Sequence, residues 1–320
     1  MRHTSLVKRV PAMIGAAGLV AAALAGCSLL PGYGGCDAPY TSGDASSLVT
    51  ADGSFGVKPS VDFPTPLVVS TPEVSVLDPG DGALVRDGDQ VDYTFAELSG
   101  KDAEDLSGEA AQARIEAGVD GDAVSKALVC AHVGDRIALT ATVEQAHGAG
   151  SGGDALADTD TVVVVIDVTA AYLGKADGFN QLPKDSMPTV VTAVDGTPGI
   201  TVPAQDPPAE TTVSVIKGGD GRTLKADDAL VAHFSFWTWP TTEGDEPTAI
   251  EDSWTSHKAA NLPLTDSLPS GLRDALVGQR IGSQVLVVLT PGEGSFPAGQ
   301  GPASDDSTYI FVFDLLGIQK

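Results

Sequence analysis

Residues 211–320 repeat a segment that the chain has already used once. Gly80-Asp81-Gly82 recurs as Gly219-Asp220-Gly221, and the same offset of 139 positions separates Asp89 from Asp228 and Phe95 from Phe234. Further on, Ala127-Leu128-Val129-Cys130-Ala131-His132-Val133-Gly134 answers Ala275-Leu276-Val277-Gly278-Gln279-Arg280-Ile281-Gly282. The run TVVVVIDV at 161–168 answers TYIFVFDL at 308–315. Ordered blocks whose spacing differs only in loops imply one domain written twice. A period this long is duplication rather than a solenoid. Two copies of about a hundred residues can each bury a core of their own, so function is to be sought where the copies differ.

Within each copy the pattern is mostly strand. Residues 231–236, 283–289 and 308–315 are β-branched or aromatic runs bounded by Gly, Pro and Asp. One helix is predicted from near Ser270 to a stop at Gly278, with Leu272, Ala275 and Leu276 on a single apolar face. Its counterpart in the first copy is predicted over 122–129. Antiparallel strands around one short helix make an α+β domain. The divisions are 71–170 for the first copy, 171–210 for a linker and 211–320 for the second copy. The linker contains Pro183, Pro188, Pro198, Pro203, Pro207 and Pro208, and its apolar run 189–194 suits a short added strand. Residues 27–70 read as a tether and an arm that packs on the first domain.

The N-terminus reads as a targeting segment. Arg2, Lys8 and Arg9 precede a short apolar run at 11–25, too short to span a bilayer comfortably. The run closes in Leu24-Ala25-Gly26-Cys27, which resembles the lipobox of bacterial lipoproteins. That resemblance implies a signal peptide over 1–26, a lipid on Cys27, and anchoring at the extracytoplasmic face of the cell membrane. Cys36 and Cys130 remain. An even count outside the cytoplasm favours a Cys36–Cys130 disulfide, with two buried free thiols as the alternative. Cys130 stands where the second copy has Gly278. A net charge of −25 argues against nucleic acid and anionic headgroups as partners.

The second copy resembles an FKBP-type peptidyl-prolyl isomerase. The matching elements begin with Gly219-Asp220-Gly221, Val231-Ala232-His233-Phe234 and Glu251-Asp252-Ser253-Trp254. They continue with Leu268-Pro269-Ser270-Gly271-Leu272, the run from Leu276 to Ser283, residues 291–297, and the closing strand with Phe311. Together with the lipobox, the weaker first copy and the linker, the chain resembles actinobacterial FKBP-like lipoproteins. The resemblance implies two tandem FKBP-like domains, each an antiparallel sheet curled around one short helix. It places Phe234 where the family has a pocket tyrosine, and Ile250 or its neighbour at a wall phenylalanine. Glu251 or Asp252 stands at the pocket aspartate, Leu268 and Pro269 at the aliphatic pair meeting the substrate backbone, and Leu272 at a tryptophan floor. Phe296 takes the place of a hydroxyl-bearing tyrosine, and Phe311 that of a wall phenylalanine.

The chemistry so implied is modest. Rotation about X–Pro faces a barrier of about 18–20 kcal/mol from amide resonance. An apolar pocket that desolvates the amide and favours its twisted form lowers that barrier without nucleophile, metal or cofactor. The implied function is a monomeric, lipid-anchored isomerase acting on prolyl segments of exported proteins and assisting their folding. Phe234 and Phe296 lack the family's hydroxyls, so a non-catalytic binding module, chaperone or envelope scaffold is the alternative. In the first copy an acidic, Ala/Gly-rich run at 99–120 replaces the wall segment and Val164 stands in for Phe311, which implies a degenerate copy.

Other signals carry less. Residues 148–153 match the dinucleotide fingerprint, but in a loop between strands rather than in a βαβ unit. His132, His147, His233 and His257 lack metal-ligand spacing, and His233 alternates with the core face of its strand and is expected to be exposed. Trp237, Trp239 and Trp254 suit either a peptide groove or a second small core.

Overall fold

The computed structural model describes residues 1, 36–109, 111–153, 155–242, 244–293 and 307–319. It comprises a short unit, Met1–Cys36, and a second unit, Asp37–Lys320; the fold below is that of the second. Cys27 and Phe296 lie outside the described residues. Among the described residues, no helix is long and apolar enough to cross a membrane. Cys36 and Cys130 are both disulfide-bonded.

The chain is mostly strand with few helices. β1 (Thr50–Asp52) and β2 (Ser60–Asp62) pair in the N-terminal arm. The first half then contributes β3 (Glu73–Asp78), β4 (Gln90–Ser99), β5 (Gln112–Glu116), α1 (Ala123–Ala127), β6 (Arg136–Thr142), α2 (Val143–His147) and β7 (Thr161–Tyr172). Its antiparallel sheet runs β3-β6-β7-β4-β5. The linker supplies β8 (Phe179–Asn180), β9 (Thr189–Thr192) and β10 (Pro198–Thr201). The second half holds β11 (Thr212–Gly218), β12 (Ala229–Thr238), β13 (Thr248–Asp252), β14 (Ala260–Pro263), α3 (Ser270–Leu276), β15 (Gln284–Leu289) and β16 (Tyr309–Ile318). Its sheet runs β13-β12-β16-β15-β11-β8, with β14 also on β12.

The order β3-β6-β7-β4 in one sheet is therefore β11-β15-β16-β12 in the other. Irregularities repeat as well. β3 shifts register between Val76 and Asp78, and β11 between Val215 and Lys217. β4 shifts between Asp92 and Tyr93, and β12 between Val231 and Ala232. Each pair is 139 residues apart. The recurring glycine has a steric cause. A Cβ on Gly80 would lie 2.4 Å from the Gly134 carbonyl carbon, and one on Gly219 would lie 2.2 Å from the Ile281 oxygen. Only glycine allows the backbones to pass so closely.

Helices α1 and α3 form where their local signals predict them, whereas α2 is additional to the single helix expected in the first copy. Asp122 caps α1 by accepting the Ser125 N–H at 2.9 Å. α3 buries Leu272, Ala275 and Leu276, and the chain turns away at Gly278 with φ +90°. Cys130, at the equivalent position, holds φ +72°, so the cysteine occupies a left-handed conformation its counterpart meets with glycine.

Both faces of each sheet are covered, which is why the central strands read as unbroken apolar runs rather than alternating ones. One face of the first sheet packs Ile137, Leu139, Val164 and Ile166 against Leu128 after α1. On its other face Ala45, Val49, Phe63 and Leu67 of the arm meet Ala138, Val163 and Val165. In the second sheet Val285, Val287 and Phe311 pack beneath α3, while Leu286, Val288, Ile310 and Val312 meet the linker through Met187, Val190 and Ile200. Trp239 is buried in this second core and Trp237 packs against it. Two of the three tryptophans thus fill an outer core, and Trp254 lies elsewhere.

The halves meet along a polar seam. Arg114 grips Asp92 with two donors, Nε at 2.6 Å and Nη2 at 2.7 Å, and reaches Asn261 Oδ1 of the other half at 2.5 Å. The Tyr172 ring lies 5.0 Å from its guanidinium. His233 corrects the sequence expectation: it is fully buried, 0% exposed. The face of β12 that alternation assigns to solvent is covered by Gln90 of the first half. Gln90 Oε1 accepts the Ala259 N–H at 2.9 Å, which orients its amide and leaves Nε2 to donate to His233 Nε2 at 3.2 Å. His233 Nδ1–H then donates to Ser253 Oγ at 2.8 Å, and the ring stacks on Trp254 at 4.1 Å. Burial, followed by the charge of nearby His257, pushes the His233 pKa down to about 4 against an opposing pull from Asp252.

Candidate functional site

Strand periodicity assembles the site. Phe234 and Phe236 lie two apart on β12, and Tyr309, Phe311 and Phe313 do the same on β16, so all five share the face under α3. Register sets Phe236 opposite Phe311 and Phe234 opposite Phe313. Phe311 is stacked from both sides, by Phe236 at 4.8 Å and 13° and by Phe313 at 5.6 Å and 4°. Tyr309 meets Phe236 edge-on at 6.4 Å. Such offset and edge contacts hold aromatic rings more firmly than area alone.

The structure brings together Phe234, Leu268, Leu272 and Phe311 of the residues singled out in the sequence. Leu272 and Phe311 are only 1% and 2% exposed, so they form the floor and back of the cluster, while Phe234 and Leu268 are partly exposed. Pro269 is buried at the start of α3. Both acidic residues are exposed on β13, at the edge of the sheet. Glu251 is opposite Phe236 in register, and Asp252 is opposite Ser235, on the other face. Asp252 Oδ1 accepts the Thr255 N–H at 2.8 Å and its hydroxyl at 2.9 Å, which ties it to its own turn.

Phe236, Tyr309 and Phe313 went unassigned in the sequence. Their signal was the two-residue spacing from Phe234 and Phe311, which a family correspondence read one position at a time passes over. Tyr309 returns a phenol to a cluster otherwise built of phenylalanines. The cluster itself holds no carboxylate, histidine or thiol, and among the described residues no group of three or more His, Cys, Asp or Glu is placed to hold a metal. What it can do is desolvate and orient an apolar ring.

The same face of the first half is closed. Tyr93 and Phe95 lie 5.6 Å apart, but Val164 stands between the strands where Phe311 stands in the second half. α2 packs Val143 and Ala146 into this core, and its capping box joins Thr142 and Gln145. Glu97, opposite Val164, accepts His147 Nε2 at 2.7 Å, and that bond raises the His147 pKa above its ordinary value.

No protein-family model and no curated protein matches the chain. Among solved structures it is similar to the three FKBP domains of wheat FKBP73, at 15% identity and a TM-score of 0.32, covering 78% of this chain and 95% of that one. FkpA from Escherichia coli matches at 18% identity and a TM-score of 0.30, over 42% of this chain and 53% of that one. A peptidyl-prolyl cis-trans isomerase from Pseudomonas syringae pv. tomato matches at 19% and 0.28, over 31% and 74%. Scores this low say nothing further about this chain.

Proposed function

We propose that residues 211–320 form an FKBP-type domain that binds prolyl segments of polypeptides and catalyses their cis–trans isomerisation, and that residues 71–170 are a second FKBP-like domain without a working site. The observation that carries the reading is the five-ring cluster under α3, apolar and without a carboxylate, histidine or thiol. A prolyl ring needs such a surface, and a twisting amide gains from leaving water. The repeated strand order supports the tandem reading, and α2 plugging the first half supports its inactivity. We place the protein at the extracytoplasmic face of the membrane through a lipid on Cys27, on the strength of the lipobox resemblance, with exported polypeptides as clients.

One observation favours a non-catalytic binding module instead. Phe311 and Leu272 are nearly inaccessible, and Phe234 offers no hydroxyl. A protease-coupled prolyl-peptide assay on the full chain separates the two readings. Isomerisation above the spontaneous rate, abolished in Phe234→Ala, supports the enzyme. Binding of prolyl peptides with no acceleration supports the module, and neither binding nor acceleration rejects both.

A further inference from the structure

Each sheet carries a buried polar row at the same place, and the two rows differ in chemistry. In the first sheet Arg136, Asp167 and Thr94 lie side by side in register on β6, β7 and β4. In the second, Gln284, Asp314 and His233 hold the equivalent places on β15, β16 and β12. The first row contains a fixed ion pair, with Arg136 Nε donating to Asp167 Oδ1 at 2.6 Å and Nη2 to Oδ2 at 2.8 Å. In the second row glutamine replaces the arginine and histidine the threonine, so its one basic group is titratable. Asp314 gives that histidine no hydrogen bond. Its Oδ1 accepts Gln284 Nε2–H and its Oδ2 the Ala176 N–H, each at 2.8 Å, and burial raises its pKa.

His233 is also where the first half sits on the second, and that joint is mostly polar. Gln90 bonds the Ala259 N–H, His233 Nε2 and, at 3.4 Å, the His257 carbonyl. Arg114 reaches Asn261 and the Ala259 carbonyl, and His257 Nδ1 meets Glu116 Oε2 at 3.2 Å. One small apolar cluster crosses the joint, in which Tyr172 and Leu173 pack on Val231, Ala259 and Leu316. Each half keeps a much larger core of its own. Trp254, stacked on His233, has its Nε1–H buried without an acceptor among the described residues, which counts against the closed joint. Parting the halves therefore sacrifices a few polar contacts and little apolar packing, far less than melting either sheet.

We propose that this joint is an acid-responsive hinge: the first half lifts from β12 when His233 takes up a proton, while both sheets stay folded. In the closed form an added proton on Nε2 would face the Nε2–H of Gln90, and Nδ1 is already committed to Ser253 Oγ. In the open form the ring reaches water and keeps the proton. Of the surrounding charges, Asp252 favours the charged ring and His257 opposes it. The Glu116–His257 pair braces the joint, but more than half of the His257 side chain is exposed and the brace is weak. The open ring titrates near its ordinary 6.5 and the closed one at about 4. The closed form is thus fully favoured above the first value and loses ground below it, and the open-to-closed ratio should rise about a hundredfold from about pH 7 to about pH 4. The hinge does not depend on the aromatic cluster being a prolyl site.

Amide exchange of the full chain, resolved by NMR, tests this. The Ala259 N–H, held across the joint by Gln90, reports opening, and the slowest amides of β15 and β16 report unfolding of the second sheet. Ala259 should exchange well ahead of those amides throughout the window. Its rate relative to that in His233→Gln, which cancels intrinsic exchange, should rise about a hundredfold as the pH falls from about 7 to about 4. Gln90→Glu should abolish the rise, because the new carboxylate can accept both the Ala259 N–H and a protonated Nε2; this variant keeps the test open if His233→Gln does not fold. An Ala259 amide that exchanges only in step with the slowest strand amides overturns the proposal. So does a rate that keeps the same ratio to both variants across the window.

Discussion

Lowering the pH from about 7 to about 4 protonates His233 in the unfolded chain well before it does so in the fold. The unfolded side chain titrates near its ordinary 6.5, and in the fold burial and His257 hold it at about 4. A base whose folded pKa is depressed stabilises the fold fully above the unfolded value and progressively less below it. Between those limits the unfolded state takes up a proton that the folded state refuses. At 1.36 kcal/mol per pKa unit, the loss from this residue reaches about 3 kcal/mol near pH 4. The structural origin is specific: a protonated Nε2 would face the Nε2–H of Gln90, whose amide is oriented by the Ala259 N–H and cannot turn to accept without losing that bond. Carboxylates also titrate in this range, so the measurement must be differential. Urea unfolding of the parent and of His233→Gln, at steps between about pH 7 and about pH 4, isolates the histidine, because glutamine keeps a donor and an acceptor but does not titrate. The parent should lose about 3 kcal/mol more than the variant across that window. Parallel curves for the two proteins would refute the assigned burial and hydrogen bonding.

Four further outcomes follow from the same geometry. Phe311→Ala should cost about 3–5 kcal/mol of stability by equilibrium unfolding, because a ring stacked on both sides leaves a cavity. Phe311→Leu should keep the fold while weakening prolyl-peptide binding, and a folded variant that binds like the parent removes Phe311 from the site. Gly219→Ala should destabilise by about 1–3 kcal/mol, since the new Cβ would press on the Ile281 oxygen. The His147–Glu97 pair should contribute most below the histidine's unfolded pKa and fade as pH rises through its raised folded value; amide exchange in α2 should quicken with pH relative to Glu97→Gln, beyond the intrinsic base catalysis of exchange.

Much of the architecture was legible in the chain because it was written locally. The duplicated glycine motif marks a place where backbones touch and no side chain fits, as Gly80 and Gly219 show. The strand runs, the helix from Ser270 and the Asp122 cap each depend on neighbours a few residues away. The aromatic face was half legible: Phe234 and Phe311 stood out through the family resemblance, while Phe236, Tyr309 and Phe313 needed only the two-residue period of a strand.

What the sequence by itself determined, then, is a repeated, strand-rich chain with one apolar helix face per repeat and an aromatic side to its last strand. Tertiary structure alone decided which faces became interior. His233 is polar and alternates outward, yet it is buried because the first half lies over that side of β12. Trp237 and Trp239 suited a groove as well as a core until the linker hairpin packed on them. Glu251 and Asp252 are adjacent in the chain and part company in the sheet, one opposite Phe236 and the other tied to Thr255. For His233 and the two tryptophans the deciding partner comes from another element or another half, and burial depends on that distant partner rather than on the residue's own pattern.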